Sequence, residues 1–336
     1  MSPFKALRVL LGPAGRFARF ESVTLDELTP GEVVVRVAYS CVNYKDALAI
    51  TGKGSIARGY PRTAGIDLSG IVEASSDRAF RPGDRVLATG ANLGESLDGG
   101  LAEYARVPAA ALVPLPKGLS LFEAMALGTA GFTAALALRR LLENHQLPER
   151  GPIAVTGATG GVGGIALGLL KRAGFATAAI TGKPDAAGYL HELGADQVVA
   201  RASLASTGKP LETAVWGGAV DNLGGETLTY LTRTVKPWGN IACVGLAQSP
   251  TLNTTVMPLI LRGVSLLGIH SVEVPRSWRL AIWEKLAGEW KPSEIERLIV
   301  RAVIGLEEVP QACEELLAGE ARGRYVVRIG GDLGHA

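Results

Sequence analysis

The stretch 151–164, GPIAVTGATGGVGG, restricts the fold of this chain more than any other. An apolar run, Ile153 to Val155, feeds a glycine cluster at Gly157, Gly160, Gly161, Gly163 and Gly164, and a periodic apolar segment continues from Ile165. Strand, tight turn and helix start in that order present backbone N–H groups to a phosphate. A glycine cluster alone is a weak signal, because such turns also form where a helix merely packs close to a strand.

The residues on its C-terminal side supply the context. A helix is expected over Val162 to Arg172, and strands over 153–157, 176–181, 197–200, 219–223, 240–245 and 264–270, with helices between several of them. Alternation of this kind predicts parallel strands covered by helices on both faces, and the first three strands make a βαβαβ unit of the dinucleotide-binding type. An acidic residue at the end of the second strand would bind the ribose 2′-OH of NAD. This chain has Thr181, Gly182 and Lys183 there, which favours NADPH with Lys183 facing the 2′-phosphate. Asp185 lies two residues further on. The run TGATGGVG also fits the short-chain dehydrogenases, but those begin with it and use a Tyr-x-x-x-Lys pair. Tyr189 and Tyr230 have no lysine four residues later, so that family is set aside.

The motif is central because of what flanks it. Residues 1 to about 120 read as short strands separated by Pro30-Gly31, Pro82-Gly83 and Gly99-Gly100, a β-rich domain. From Leu121 the spacing turns helical, LFEAMALGTAGFTAALALRRLLENH. After His270 come two helical stretches, PRSWRLAIWEKLAGEW and EVPQACEELLAG, and a last strand, RYVVRIG, that is expected to rejoin the first domain. The division expected is 1–124, an inserted dinucleotide-binding domain at 125–270, and a return at 271–336, with a frayed tail at GDLGHA.

A length of 336 residues is in keeping with about two domains. With 34 basic and 32 acidic residues, net +2, the chain lacks the electrostatic footprint of a nucleic-acid binder. Cys41, Cys243 and Cys313 are few, odd in number and far apart, which argues for a reducing compartment and buried thiols. The N-terminal apolar run is broken by Gly12 and Pro13, and no uninterrupted apolar run approaches a bilayer's width, so a cytoplasmic protein with no membrane partner is expected.

Seven blocks together resemble the zinc-free medium-chain dehydrogenase/reductases, in particular the YhdH/YhfP-type oxidoreductases, which include NADPH-dependent acrylyl-CoA reductase. They are NYKDALAITGKG (43–54), GIDLSGIV (65–72), GGLAEYARV (99–107), GTAGFTA (128–134), VTGATGGVGGIA (155–166), TTVMPLILRGVSLLG (254–268) and GRYVVRI (323–329). They run the length of the chain in order. The resemblance implies an α/β protein: a GroES-like β-rich catalytic domain built from both chain ends, an inserted Rossmann doubly wound parallel-sheet domain, and a cleft between them. It puts the cofactor's phosphates at Ala158, Thr159, Gly160, Gly161 and Val162 and the 2′-phosphate at Thr181, Gly182 and Lys183, with Asn222, Leu266 and Arg324 as further cofactor residues. Metal-dependent relatives place a cysteine ligand near Cys41 and follow it with Gly-His-Glu, where this chain has Gly65-Ile66-Asp67. A second ligand and a structural-zinc cysteine cluster are both missing, so no metal is expected.

Reduction of an activated C=C bond suits such a site, since hydride attacks the β-carbon while negative charge develops on a conjugated carbonyl. Tyr44, in the stretch the family places beside the nicotinamide, is the candidate hydrogen-bond or proton donor, with cofactor contact ahead of proton transfer. Lys45 and Asp46 read equally as a structural pair, and Asp67 as a fold-supporting acceptor. Arg58, Arg62, Arg276 and Arg279 lie where CoA phosphates could bind, and His270 stands where close relatives suggest an acidic residue. The leading expectation is a reductase of short 2-enoyl-CoA esters; quinones or α,β-unsaturated ketones are the alternative, and an NADPH-binding regulatory protein a third. The apolar edge at 264–270 also predicts a homodimer.

Overall fold

The structure, a computed structural model, describes residues 2–204 and 208–330. The tail expected to fray, 331–336, lies outside the described residues, as does His335. The chain divides into two compact units, one made of residues 1–132, 271–288 and 294–336, the other of 133–270 and 289–293.

The first unit opens with a hairpin, β1 (Phe4–Gly12) and β2 (Gly15–Val23). Next come β3 (Val33–Val42), a short helix α1 (Tyr44–Ile50), β4 (Arg62–Thr63), β5 (Asp67–Ser75), β6 (Arg85–Thr89), β7 (Tyr104–Val107) and β8 (Val113–Pro114). Val33, Val35 and Val37 alternate into a core with Leu68, Val72 and Val86, the period of a half-buried strand. Close backbone approach explains several of the glycines: a Cβ on Gly70 would lie 2.2 Å from the Arg36 carbonyl oxygen. Helix α2 (Leu121–Glu143) is long and apolar enough to cross a membrane, contrary to the expectation from uninterrupted runs. However, 89% of its apolar window is buried, as in a core helix, and Gly128 breaks its geometry at φ 51°, ψ −154°. The division between units falls inside this helix, after Phe132.

The second unit holds β9 (Ile153–Thr156), α3 (Gly161–Arg172), β10 (Thr177–Thr181), α4 (Ala187–Glu192), β11 (Gln197–Ala200), β12 (Gly218–Asp221), α5 (Gly225–Thr234), β13 (Asn240–Cys243), α6 (Met257–Arg262) and β14 (Ser265–Gly268). All six strands expected from the sequence form, and they make one parallel sheet in the order β11-β10-β9-β12-β13-β14. That is the doubly wound order in which the chain reverses direction across the sheet beside its first strand. Every residue of β9 is buried, as a central parallel strand requires.

The chain then returns to the first unit through α7 (Arg276–Ala287), β15 (Val300–Gly305), α8 (Val309–Leu317) and β16 (Arg324–Arg328). β16 pairs antiparallel with β3, Val326 opposite Cys41, so the last strand does rejoin the first domain. The resulting sheet runs β15-β16-β3-β5-β6-β8, with β7 also on β3, and a second sheet runs β2-β1-β4.

Candidate functional site

In the second unit, the turn between β9 and α3 is shaped by two glycines. Gly157 sits at φ 58°, and a Cβ on Gly163 would lie 2.5 Å from the Gly157 carbonyl oxygen, so the helix start can approach the turn only because both are glycine. Ala158 and Thr159 are buried, while Gly160, Gly161 and Val162 are partly exposed. Gly160 caps α3 and offers no side chain to the first N–H groups of that twelve-residue helix. This is a cradle that suits a dinucleotide's pyrophosphate, with the positive end of the helix dipole facing it. Beside it, Asn222 donates from Nδ2 to the Thr156 carbonyl at 2.7 Å, and its Oδ1 has no partner. Thr156 and Asp221 fasten the ends of β9 and β12, Oγ1 donating to Oδ1 at 2.7 Å; burial raises the Asp221 carboxyl above its usual range.

At the end of β10 the Lys183 amide donates to Thr181 Oγ1 at 3.0 Å, which turns the backbone at Gly182. The guanidinium of Arg201, just past β11, lies against Gly182. No local signal in the sequence marks Arg201, since only the pairing of β10 with β11 brings it there. Leu266 corrects another expectation: it packs against the unit's core with Ile241 and Val264 and brings no polar group to the cofactor. His270 lies exposed beyond the end of β14.

In the first unit, Tyr44 is the first residue of α1, 43% exposed, with no hydrogen-bond partner for its hydroxyl among the described residues. The residues that hold this helix start are buried. Asp46 Oδ2 accepts from the Asn43 amide at 2.9 Å and from Asn43 Nδ2 at 3.1 Å, and Oδ1 accepts from the Ile66 amide at 2.9 Å. Burial, with the charge of Asp67 second, pushes the Asp46 carboxyl up to about 7 against these hydrogen bonds. Lys45 does not pair with Asp46 as expected but reaches Glu95 at 2.7 Å, because Asp46 caps its own helix.

Asp67, fully buried, accepts from Asn43 Nδ2 at 2.9 Å, Cys41 Sγ at 3.0 Å, the Thr129 amide at 2.7 Å and the Thr129 hydroxyl. Arg324 is buried in the same cluster, where it donates to Asn43 Oδ1 and to Cys41 Sγ, both at 2.9 Å. This corrects the expectation that Arg324 meets a cofactor or acyl-CoA phosphate: its fork is engaged by the buried pair and by backbone carbonyls. Burial and the charge of Asp67 raise the Cys41 thiol well above its ordinary value. The residues left from a zinc site therefore do not fit the metal: the thiol is held protonated with a guanidinium against its sulfur. Among the described residues, no group of three or more His, Cys, Asp or Glu could hold a metal ion.

Three of the four arginines considered for CoA phosphates also serve the fold. Arg62 pairs with Asp98 at 3.3 Å, Arg276 donates to the carbonyls of Ala110 and Leu112, and Arg279 is buried over Phe132 with donations to Thr89, Ser271 and Val272. Arg58 is exposed. The sequence signal for Thr129 and Gly128 is present in GTAGFTA, but helical periodicity conceals the kink that aims them at Asp67.

Residues 29–117 match the alcohol dehydrogenase GroES-like domain and residues 161–287 the family described as zinc-binding dehydrogenase. The acrylyl-CoA reductase AcuI of Ruegeria pomeroyi is 45% identical over 93% of this chain and 94% of its own length. YhfP of Bacillus subtilis, whose name assigns it provisionally to the quinone oxidoreductases, is 45% identical over 97% of this chain and 99% of its own. Its crystal structure with NAD bound superposes with a TM-score of 0.94 at 44% identity, covering 98% of this chain and 100% of that one. The Escherichia coli YhdH structure with bound NADPH gives 0.93 at 40% identity, covering 97% and 100%.

Proposed function

This chain belongs to the zinc-free medium-chain dehydrogenase/reductase family, in its YhdH/YhfP-type subgroup, and we propose that it is an NADPH-dependent reductase of the C=C bond of short 2-enoyl-CoA esters, with acrylyl-CoA giving propionyl-CoA as the leading reaction. The observation that carries the cofactor half is the glycine cradle before α3, combined with Thr181, Gly182 and Lys183, rather than a carboxylate, at the end of β10. The acrylyl-CoA half is supported by the chain-long likeness to AcuI.

Ala158, Thr159, Gly160, Gly161 and Val162 hold the pyrophosphate, Asn222 orients the nicotinamide half through its unpartnered Oδ1, and Lys183 meets the 2′-phosphate. When bound, NADPH supplies a hydride for the substrate β-carbon. Tyr44 donates a hydrogen bond from its phenol to the cofactor or to the thioester oxygen, where charge develops, and a proton reaches the α-carbon from Tyr44 or from water. The buried Asn43, Asp46, Asp67 and Arg324 do not touch the substrate; they fix the start of α1 and so the position of Tyr44. The likeness to YhfP favours a second reading, in which the same residues serve a quinone or an unsaturated ketone.

The protein is further proposed to work in the cytoplasm as a homodimer. Its three cysteines are free, which suits a reducing compartment. β14 is an edge strand, and near it Trp238, Val256, Ile260 and Leu261 are exposed, the apolar surface a second copy would cover. Gel filtration at the monomer mass would refute the dimer.

The activity is tested by nicotinamide oxidation with acrylyl-CoA, crotonyl-CoA and a simple quinone in parallel, each with NADPH and with NADH. Turnover of acrylyl-CoA with NADPH is the expected result. Turnover of quinone alone moves the assignment to the second reading, and tight NADPH binding without turnover points to a regulatory role.

A further inference from the structure

The end of β10 is flanked by more positive charge than its own residues provide. β10 and β11 run parallel with Thr181 beside Ala200, so the residue after Ala200 emerges next to Gly182. That residue is Arg201. A Cβ built on Gly182 would lie 3.2 Å from Arg201 Nη2 and 3.4 Å from Cζ, which places the guanidinium directly against the glycine. Arg201 is exposed, and its guanidinium has no hydrogen bond or ion pair among the described residues. Thr181 and Lys183 stand on either side of Gly182, with the Lys183 amide already turned onto Thr181 Oγ1.

We propose that Arg201 is a specificity-determining residue of the cofactor site, its guanidinium pairing with the 2′-phosphate of NADPH alongside Lys183. The inference rests on the dinucleotide reading above. A 2′-phosphate monoester carries close to two negative charges at neutral pH and presents several acceptor oxygens, the geometry a guanidinium fork matches in two parallel hydrogen bonds. The 2′-OH of NADH offers neither the charge nor the second acceptor. Lys183 supplies a point charge without orientation, so Arg201 provides the directional part of the discrimination. Gly182 has a role in this arrangement: a side chain there would meet the guanidinium and displace it.

The test is a binding titration of the full chain with NADPH, NADH, 2′,5′-ADP and 5′-AMP, for the wild type and for Arg201→Ala, Arg201→Lys and Gly182→Ala. Arg201→Ala is expected to weaken NADPH and 2′,5′-ADP by about 10- to 100-fold, the range for loss of charge-assisted hydrogen bonds, and to leave NADH and 5′-AMP within about twofold. Arg201→Lys should recover part of the loss, and Gly182→Ala should resemble a mild Arg201→Ala. Unchanged NADPH binding in Arg201→Ala overturns the proposal, as does an equal loss for all four ligands, which would mean that the side chain supports the fold. A wild type with no preference for 2′-phosphorylated ligands overturns the NADPH assignment itself. Because no substrate is present, the result is independent of which alkene the enzyme reduces.

Discussion

Arg324 donates from Nη2 to the Sγ of Cys41 at 2.9 Å, joining positions 283 residues apart, and the same nitrogen lies 3.9 Å from Oδ2 of Asp67. Thiol, carboxylate and guanidinium form one buried unit in which each group depends on the others. Replacing Arg324 with Leu leaves Asp67 buried without its neighbouring guanidinium. A loss of about 3–5 kcal/mol is expected, read from urea unfolding, while Arg324→Lys, which keeps charge but not the fork, should lose less.

Gly128 is the point where α2 bends around that unit. At φ 51°, ψ −154°, with a Cβ 2.6 Å from Arg324 Nη2 and 2.7 Å from Asp67 Oδ2, alanine has neither the backbone nor the space it needs. Gly128→Ala should cost more than about 2 kcal/mol. The contrasting change, Gly168→Ala within α3, has its nearest neighbour at 3.6 Å and should stabilise by about 0.5–1 kcal/mol. Thermal melts of the two variants should therefore move in opposite directions.

The contrast between those glycines also marks what the sequence makes legible. The glycines of 157–164 announce a turn because a strand pattern precedes them and a helix pattern succeeds them, and the same alternation places all six parallel strands. Gly128 lies inside an unbroken helical pattern, so its kink is invisible there, and with it the role of Thr129. Arg324 reads as a phosphate ligand because nothing local distinguishes an arginine facing a buried carboxylate 257 positions earlier from one facing solvent. Arg201 escapes notice for a related reason: it reaches Gly182 through strand pairing. Local chemistry is readable, whereas contacts made by long-range pairing are not.

Asp46 gives the fold a pH dependence. Its carboxyl is raised to about 7 in the folded state, chiefly by burial and next by Asp67, above its ordinary value of 3.8. Between these values the folded state holds the proton and the unfolded chain does not. The contribution of Asp46 is therefore fully present in acid, falls as pH rises towards 7, and is level above it, with a slope of at most about 1.4 kcal/mol per pH unit. Asp46→Asn should flatten this slope in urea midpoints measured from pH 5 to 8. An unchanged slope would assign the dependence to other groups.

Tyr44 separates function from stability. Its exposed phenol has no partner among the described residues, so Tyr44→Phe should leave the melting temperature within about a degree, the effect of a neutral surface change. Loss of one hydrogen bond to cofactor or substrate should lower kcat/KM by about 3- to 10-fold. A loss of about 100-fold or more, confined to kcat, would instead mark the phenol as the proton donor. Asn43→Ala, which releases the start of α1, should reduce kcat and stability together.

The antiparallel pairing of β16 with β3 bears on how the protein emerges from the ribosome. Translation adds roughly 5–20 residues per second, so the six-stranded parallel sheet has all its strands exposed to fold while the N-terminal β-rich segment still waits. That segment carries Asp46 and Asp67 from early in synthesis, but Arg324 appears only when the chain is nearly finished. Until then the two acids must stay hydrated or protonated, and the strand that will receive β16 has an open edge. A nascent chain stalled before residue 324 should therefore present a folded nucleotide-binding unit on an unfinished catalytic one, the species a chaperone would have most reason to hold.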